Sequence, residues 1–295
     1  MQRLIFGLAN GSIYSLMALA IGMIYSTTGI TNFAHASVIM LGAMTGYWCI
    51  ALFGLPYLLS LLIAIAVTVA SNIIIYKLCV EQLGDLSKQV GWIVTTFGAS
   101  IILDNVARMV FGTEPQSFPY LFAGKAINIL GANIMLHEVM MILIAIFIGT
   151  IYETMMQKTR FGRAIRAVSF RPDTARLMGI KSETVILSCF AMAGAVASVA
   201  GVLIAPITFA SYTMTSSIGI KGFAAALIGG LGNSKGAFIG GLTLGVIEAV
   251  VGTFVPAGFK DAISFLIMII VIIFLPGGIL SAKFFKKGAS SAEKI

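Results

Sequence analysis

The stretch TRFGRAIRAVSFRPDTARLMGI, Thr159–Ile180, places five arginines (Arg160, Arg163, Arg166, Arg171 and Arg176) in a chain that is otherwise mostly apolar. Lys158 and Lys181 flank it, and Asp173 and Glu183 are the only acidic residues between 157 and 183. Around this island, 59% of the 295 residues are hydrophobic and 10% are charged, with a mean hydropathy of +1.02. A soluble globule carries about a quarter charged residues, so most of this chain has lipid as its solvent. The net charge of +8 fits the excess of Lys and Arg in cytoplasmic loops rather than nucleic-acid binding.

Outward from the island, apolar runs long enough to cross about 30 Å of hydrocarbon, roughly 20 residues each, fall near 4–26, 33–54, 56–79, 91–112, 137–156, 184–206, 213–232, 236–256 and 259–276. The expected fold is all-α: one polytopic transmembrane helical bundle, 1–295, of about 8–9 membrane segments. Runs 33–54 and 213–232 are rich in Gly, Ala, Ser or Thr and read equally as broken or re-entrant segments, which exist only where protein or a water-filled cavity shields them. The first run lacks a charged leader and a clear cleavage site, and is expected to be a retained membrane helix.

The arginine island puts 157–183 on the cytoplasmic side. Lys283, Lys286, Lys287 and Lys294 put the tail, 283–295, there too. Four crossings then separate island from tail, five precede the island, and the N-terminus faces out. Loop 113–136, with Glu114, Pro115, Pro119, Gly124 and Gly131, also faces out and reads either as a connector or as a landing surface for an external partner.

Small residues recur on single helix faces: Gly7, Gly11, Ser15, Ala18 and Gly22; Gly194, Ser198, Gly201 and Ala205; Gly241, Gly245 and Gly252. Such faces let helix backbones approach closely. Glu248 shares the last face, so it points into a seam or cavity, either lining a path or bonding a neighbouring helix. Asn10 and Tyr14 lie beside the first face, one turn apart. Thr96, Ser100, Asp104 and Arg108 follow at steps of four; Asp104 and Arg108 can pair at i, i+4, while Thr96 and Ser100 can meet a polar solute without trapping it. Candidates for a translocation path are therefore Asn10, Tyr14, Thr96, Ser100 and Glu248. His35, near Asn32, reads as a hydrogen-bonded structural residue. Cys49, Cys79 and Cys189 read as buried thiols without disulfides. No HExxH, Cys/His cluster or GxSxG elbow suggests an enzyme or a metal site.

Within the island, Arg160, Arg163 and Arg166 form a basic stripe and Phe161, Ile165 and Val168 an apolar one. Pro172 interrupts, Asp173 and Thr174 suit a new helical turn, and Gly179 can stop it. Two short helices at the inner membrane surface are expected. Anionic lipid accounts for part of the charge; the apolar face with its break and stop suits docking into a groove of another protein.

The same stretch resembles the ATPase-docking loop of the bacterial branched-chain amino acid ABC transporter permeases. The resemblance continues through NGSIYSLMALAIGMIYSTTGITNFAHASVIMLGA, SCFAMAGAVASVAGVLIAP, KGFAAALIGGLGNSKGAFIGGLTLGVIEAVVG and FKDAISFLIMIIVIIFLPGGIL, almost the whole chain. Two positions depart from the family pattern: Ala36, where Gly usually follows NFAH, and Leu275, where FLPGG usually has Arg.

The resemblance implies a permease subunit, not an enzyme, in a bacterial inner membrane, carrying branched-chain amino acids released by a periplasmic binding protein. It implies a second permease, homologous or identical, and two cytoplasmic ABC ATPase subunits. Those subunits would dock on Thr159, Arg160, Phe161, Gly162, Arg163, Arg166, Ala167, Ala175, Leu177, Gly179 and Ile180. Lacking GxxxxGK[ST], the chain holds no cofactor of its own, and ATP and Mg would sit on the partners. Related permeases for urea or amides, ribose-like sugars or nucleosides share the architecture. An ion-coupled secondary transporter would need coupling carboxylates, for which Glu248 and Asp104 are the candidates.

Overall fold

The computed structural model describes residues 2–83, 91–121, 126–129, 132–254, 259–274 and 278; Leu275 and the tail 283–295 lie outside the described residues. Eleven α-helices follow in order: α1 (Gln2–Thr28), α2 (His35–Ala51), α3 (Tyr57–Ile75, continued by a π-helical turn Tyr76–Val80), α4 (Gly91–Phe111), α5 (Leu136–Lys158), α6 (Arg160–Phe170), α7 (Pro172–Leu177), α8 (Ser182–Thr208), α9 (Ile220–Gly229, entered through a π-helical turn Thr215–Gly219), α10 (Ser234–Val251) and α11 (Lys260–Phe274). Each of the nine apolar runs holds a helix within its described residues, and the island forms the two short helices expected of it.

Among the described residues, six helices are long and apolar enough to cross a membrane: α1, α3 with its extension, α4, α5, α8 and α10. The two runs suspected of being broken are short. α2 has 17 residues, about 25 Å at 1.5 Å per residue. The π turn with α9 runs only from Thr215 to Gly229. α2 is cut at one end by the turn that Asn32 organises, its Oδ1 accepting the Ala34 amide at 3.0 Å. At the other end stand Gly54, with φ +62°, and Pro56.

α1 is the axis of the bundle, buried from Gly11 to Ile24. α10 lies against it with almost no side chain between. A Cβ on Gly7 would meet Gly245 O at 2.9 Å, and one on Gly11 would meet Gly241 O at 3.0 Å. Ser15 Oγ donates to Phe238 O at 2.6 Å across the same seam. The second seam is α8 against α2 and α3. A Cβ on Gly42 would meet Ser198 Cα at 2.8 Å, one on Gly194 would meet Thr68 O at 2.8 Å, and one on Gly201 would clash with Ile39 O. Asn72 Nδ2 donates to Phe190 O at 3.0 Å there. The outer faces of α4 and α5 present Val94, Met109, Leu143 and Phe147, as a lipid-facing surface should.

Loop 113–136 holds the one strand pair among the described residues. Ala126–Ile129 and Ala132–Met135 pair antiparallel. Gln116 bridges to Ala210 and accepts from Tyr47 Oη at 3.0 Å, which pins the loop to α2 and to the segment after α8.

Candidate functional site

Three constellations carry chemistry. The first is the arginine island. Thr159 caps α6, its Oγ1 accepting the Gly162 amide at 3.0 Å. Gly162 sits against the end of α5, where an added Cβ would meet Met155 O at 2.5 Å, and the Arg166 guanidinium donates to Met156 O. Pro172 opens α7 and Gly179, with φ +81°, closes it. Ile165, Val168 and Ala175 form one buried cluster with Val185 and Cys189 of α8. The island is thus welded to the adjoining ends of α5 and α8.

Its free surface carries Arg160 and Arg163 together with Phe170, Leu177 and Met178, which are 87%, 88% and 79% exposed. A groove of about 530 Å³ between α6 and α7 is lined by Ala167, Phe170, Arg171, Thr174, Ala175, Met178 and Ile180. Of the residues expected at a docking surface, Thr159 is exposed but caps α6, while Gly162 and Ala175 are buried and build the unit. Arg160, Arg163, Arg166, Leu177 and Gly179 lie on its face, and Phe161, Ala167 and Ile180 are half-buried. Phe170 and Met178 were missed. Their signal is a large apolar residue at the end of each short helix, outside the apolar stripe.

The second constellation is a buried ion pair. Lys221 Nζ of α9 lies 2.6 Å from Glu248 Oε1 of α10, with the two side chains 9% and 13% exposed. Tyr14 Oη of α1 donates to Glu248 Oε2 at 3.0 Å. Glu248 therefore bonds neighbouring helices. Lys221 was missed, although a lysine inside an apolar run needs a counter-charge, and that need was the legible signal. Asn10, one turn from Tyr14, has its Oδ1 buried without a partner among the described residues.

The third is a cavity of about 440 Å³ bounded by α1, the start of α2, α4 and the turn into α9. Met17, Ile21, Phe33, Ile39, Phe97, Ile101, Ile220 and Phe223 give it apolar walls; Asn32, Ser100, Asp104, Thr215 and Ser216 give it polar ones. Of the expected path residues, only Ser100 lines it. Thr96 is fully buried, its hydroxyl turned back to Trp92 O at 2.7 Å. The Asp104–Arg108 pair does not form: Asp104 Oδ1 accepts from Thr215 Oγ1 at 2.9 Å, and Arg108 stacks 4.2 Å from the Tyr212 ring. The segment after α8 runs alongside α4 and offers each a better-placed partner. His35 is buried, but its ring nitrogens have no hydrogen-bond partner among the described residues.

The family model described as the branched-chain amino acid transport system permease component matches residues 3–272. Over its whole length the chain is 30% identical to the high-affinity branched-chain amino acid transport system permease protein LivH of Salmonella typhimurium, covering 97% of that protein. It is 29% identical to the permease protein BraD of the high-affinity branched-chain amino acid system of Pseudomonas aeruginosa, over all of this chain and 98% of that one. It is 28% identical to a probable branched-chain amino acid transport permease protein LivH of Methanocaldococcus jannaschii, over 90% of this chain and 87% of that one. No solved structure matches.

Proposed function

Because the chain belongs to the family of branched-chain amino acid transport permease components, we propose that it forms the transmembrane path of an ATP-driven importer for leucine, isoleucine or valine. The observation that carries this reading is the likeness to LivH and BraD over the full chain. The arginine island supports the energy source. It is a rigid unit packed on α5 and α8, with exposed cations and apolar side chains ready for a protein groove. Two cytoplasmic ATPases, which hold the ATP and Mg, dock there. A second permease, identical or homologous, completes the membrane unit. A periplasmic binding protein delivers solute to the outer surface that the pinned loop 113–136 helps to form. Island and tail share the cytoplasmic side. Ser100 lines the path, while Tyr14 and Glu248 hold α1, α9 and α10 together beside it.

The test is uptake of radiolabelled leucine by proteoliposomes holding the assembled complex. ATP inside the ATPase compartment should drive it, and Leu177→Asp with Met178→Asp should cut it at least tenfold by releasing the ATPases. Leucine uptake driven by an ion gradient with the ATPases absent would refute the reading.

A further inference from the structure

The cavity holds three polar features that fit one ligand. α2 begins inside the bundle: Ser37 and Ser100 hydroxyls lie 2.7 Å apart, which sets the first turn of α2 beside the middle of α4. The amides of Ala36 and Ser37 have no acceptor among the described residues, and the amides of a helix N-terminus attract negative charge. Asn32 adjoins that terminus and is 5% exposed. Its Oδ1 must face Ala34, whose amide it accepts, so the Nδ2 hydrogens point the other way. Nδ2 has no acceptor among the described residues. A buried donor left unmet is costly, and this one lines the cavity.

The third feature is Asp104, the carboxylate among the lining residues. It stands one turn, about 6 Å, beyond Ser100, and helical side chains lean toward the helix N-terminus. Its Oδ1 accepts from Thr215 Oγ1 at 2.9 Å, and Oδ2 remains to meet a cation in the cavity that both residues line. Two adjacent opposite charges, each extended by a hydrogen bond of about 3 Å, suit a cavity lined by both the Asn32 amide and the Asp104 carboxylate. Between them the walls are aromatic and aliphatic.

We propose that this cavity is the mid-membrane resting site of the transported amino acid: its carboxylate on Asn32 Nδ2 and the amides opening α2, its ammonium on Asp104, and its aliphatic side chain among Phe97, Ile101, Ile220 and Phe223. The assignment rests on the permease reading above and adds the orientation of the solute. An uncharged solute would use Asn32 but has no need of the carboxylate opposite.

The experiment uses the full complex in proteoliposomes, with leucine-loaded binding protein, and reads both [3H]leucine uptake and stimulated ATP hydrolysis. Asn32→Asp sets a negative charge against the carboxylate; Asp104→Asn removes the ammonium partner at nearly constant shape. Each should lower uptake at least tenfold while stimulated hydrolysis stays within about twofold of wild type, because an empty path does not stop the motor. Ser71→Ala, on the exposed side of α3, should change neither. Uptake within twofold of wild type in both variants overturns the site. So does a joint fall in uptake and hydrolysis, or loss of assembly in both, since either would assign the two residues to the fold. Absence of ATP-driven leucine uptake in the wild-type complex overturns the permease reading and this assignment with it.

Discussion

Lys221→Met tests what the buried pair contributes. In the native chain the Glu248 carboxylate is met by the Lys221 ammonium at 2.6 Å and by the Tyr14 hydroxyl at 3.0 Å. The substitution leaves the carboxylate buried with one neutral donor. Removing one member of a buried pair costs about 3–5 kcal/mol, because the other charge keeps its desolvation penalty without its partner. Replacing both members is different in kind, since neither member's charge then remains to be solvated. Lys221→Met with Glu248→Gln also keeps an acceptor for Tyr14, so the double variant should lie within about 1 kcal/mol of wild type, as buried pairs replaced together often do. The cycle should therefore show coupling of several kcal/mol, far above the roughly 0.2–1 kcal/mol of exposed pairs. Equilibrium unfolding of the purified permease in mixed micelles measures it. A Lys221→Met variant as stable as wild type, or a double variant as weak as the single costs combined, would refute the view that the pair latches α9 to α1 and α10.

The remaining predictions concern the path and the lever. Ser100→Trp places an indole in the 440 Å³ cavity and should abolish leucine uptake with assembly intact, whereas Thr96→Val, away from the cavity, should leave uptake within about twofold, both read in vesicles. Gly162→Ala forces a methyl to within 2.5 Å of Met155 O; α6 must lift off α5, and ATPase co-purification should fall several-fold. Gly201→Val drives side-chain atoms into the α2 backbone at Ile39 and Ala43 and should cost about 1–3 kcal/mol, as overpacking does, in the unfolding assay used for the Lys221 variants.

What was legible in the sequence is what one helix determines by itself. Length and apolarity located the nine helical runs, and the steps of Gly7–Gly11–Ser15 and Gly194–Ser198–Gly201 located the seams, because a helix face is set by its own periodicity. What was not legible is what faces what. Tyr14 and Glu248 are 234 residues apart. Asp104 and Arg108 satisfy the spacing of a pair, yet each takes a partner from 212–215, since an exposed i, i+4 pair is worth only about 0.2–0.5 kcal/mol and yields easily to tertiary neighbours. The cavity escaped for the same reason. Its polar groups come from three distant segments, around Asn32, around Asp104 and around Thr215, and no one of them has a motif. The strand pair in 113–136 is built from two four-residue strands, too short for alternation to stand out.

The seams also connect the arginine island to the cavity by way of α8 and α2. Ile165, Val168 and Ala175 are packed on Val185 and Cys189, so the island cannot shift without α8. Farther along α8, Gly194 touches the Thr68 backbone, Ser198 meets Gly42, and Gly201 touches the Ile39 backbone. Long side chains would absorb a displacement by changing rotamer; backbone against backbone has no such slack, because packed interiors are dense and stiff. The displacement therefore passes to α2, whose first turn carries the Ala36 and Ser37 amides and lies against Ser100. One wall of the cavity thus moves with the lever, while the opposite wall, α1, is held to α10 and α9 by the glycine seam and the Lys221–Glu248–Tyr14 cluster. On the function and the site proposed above, a moving wall facing an anchored one lets ATPase motion at the island weaken the site without any residue of the island touching the solute.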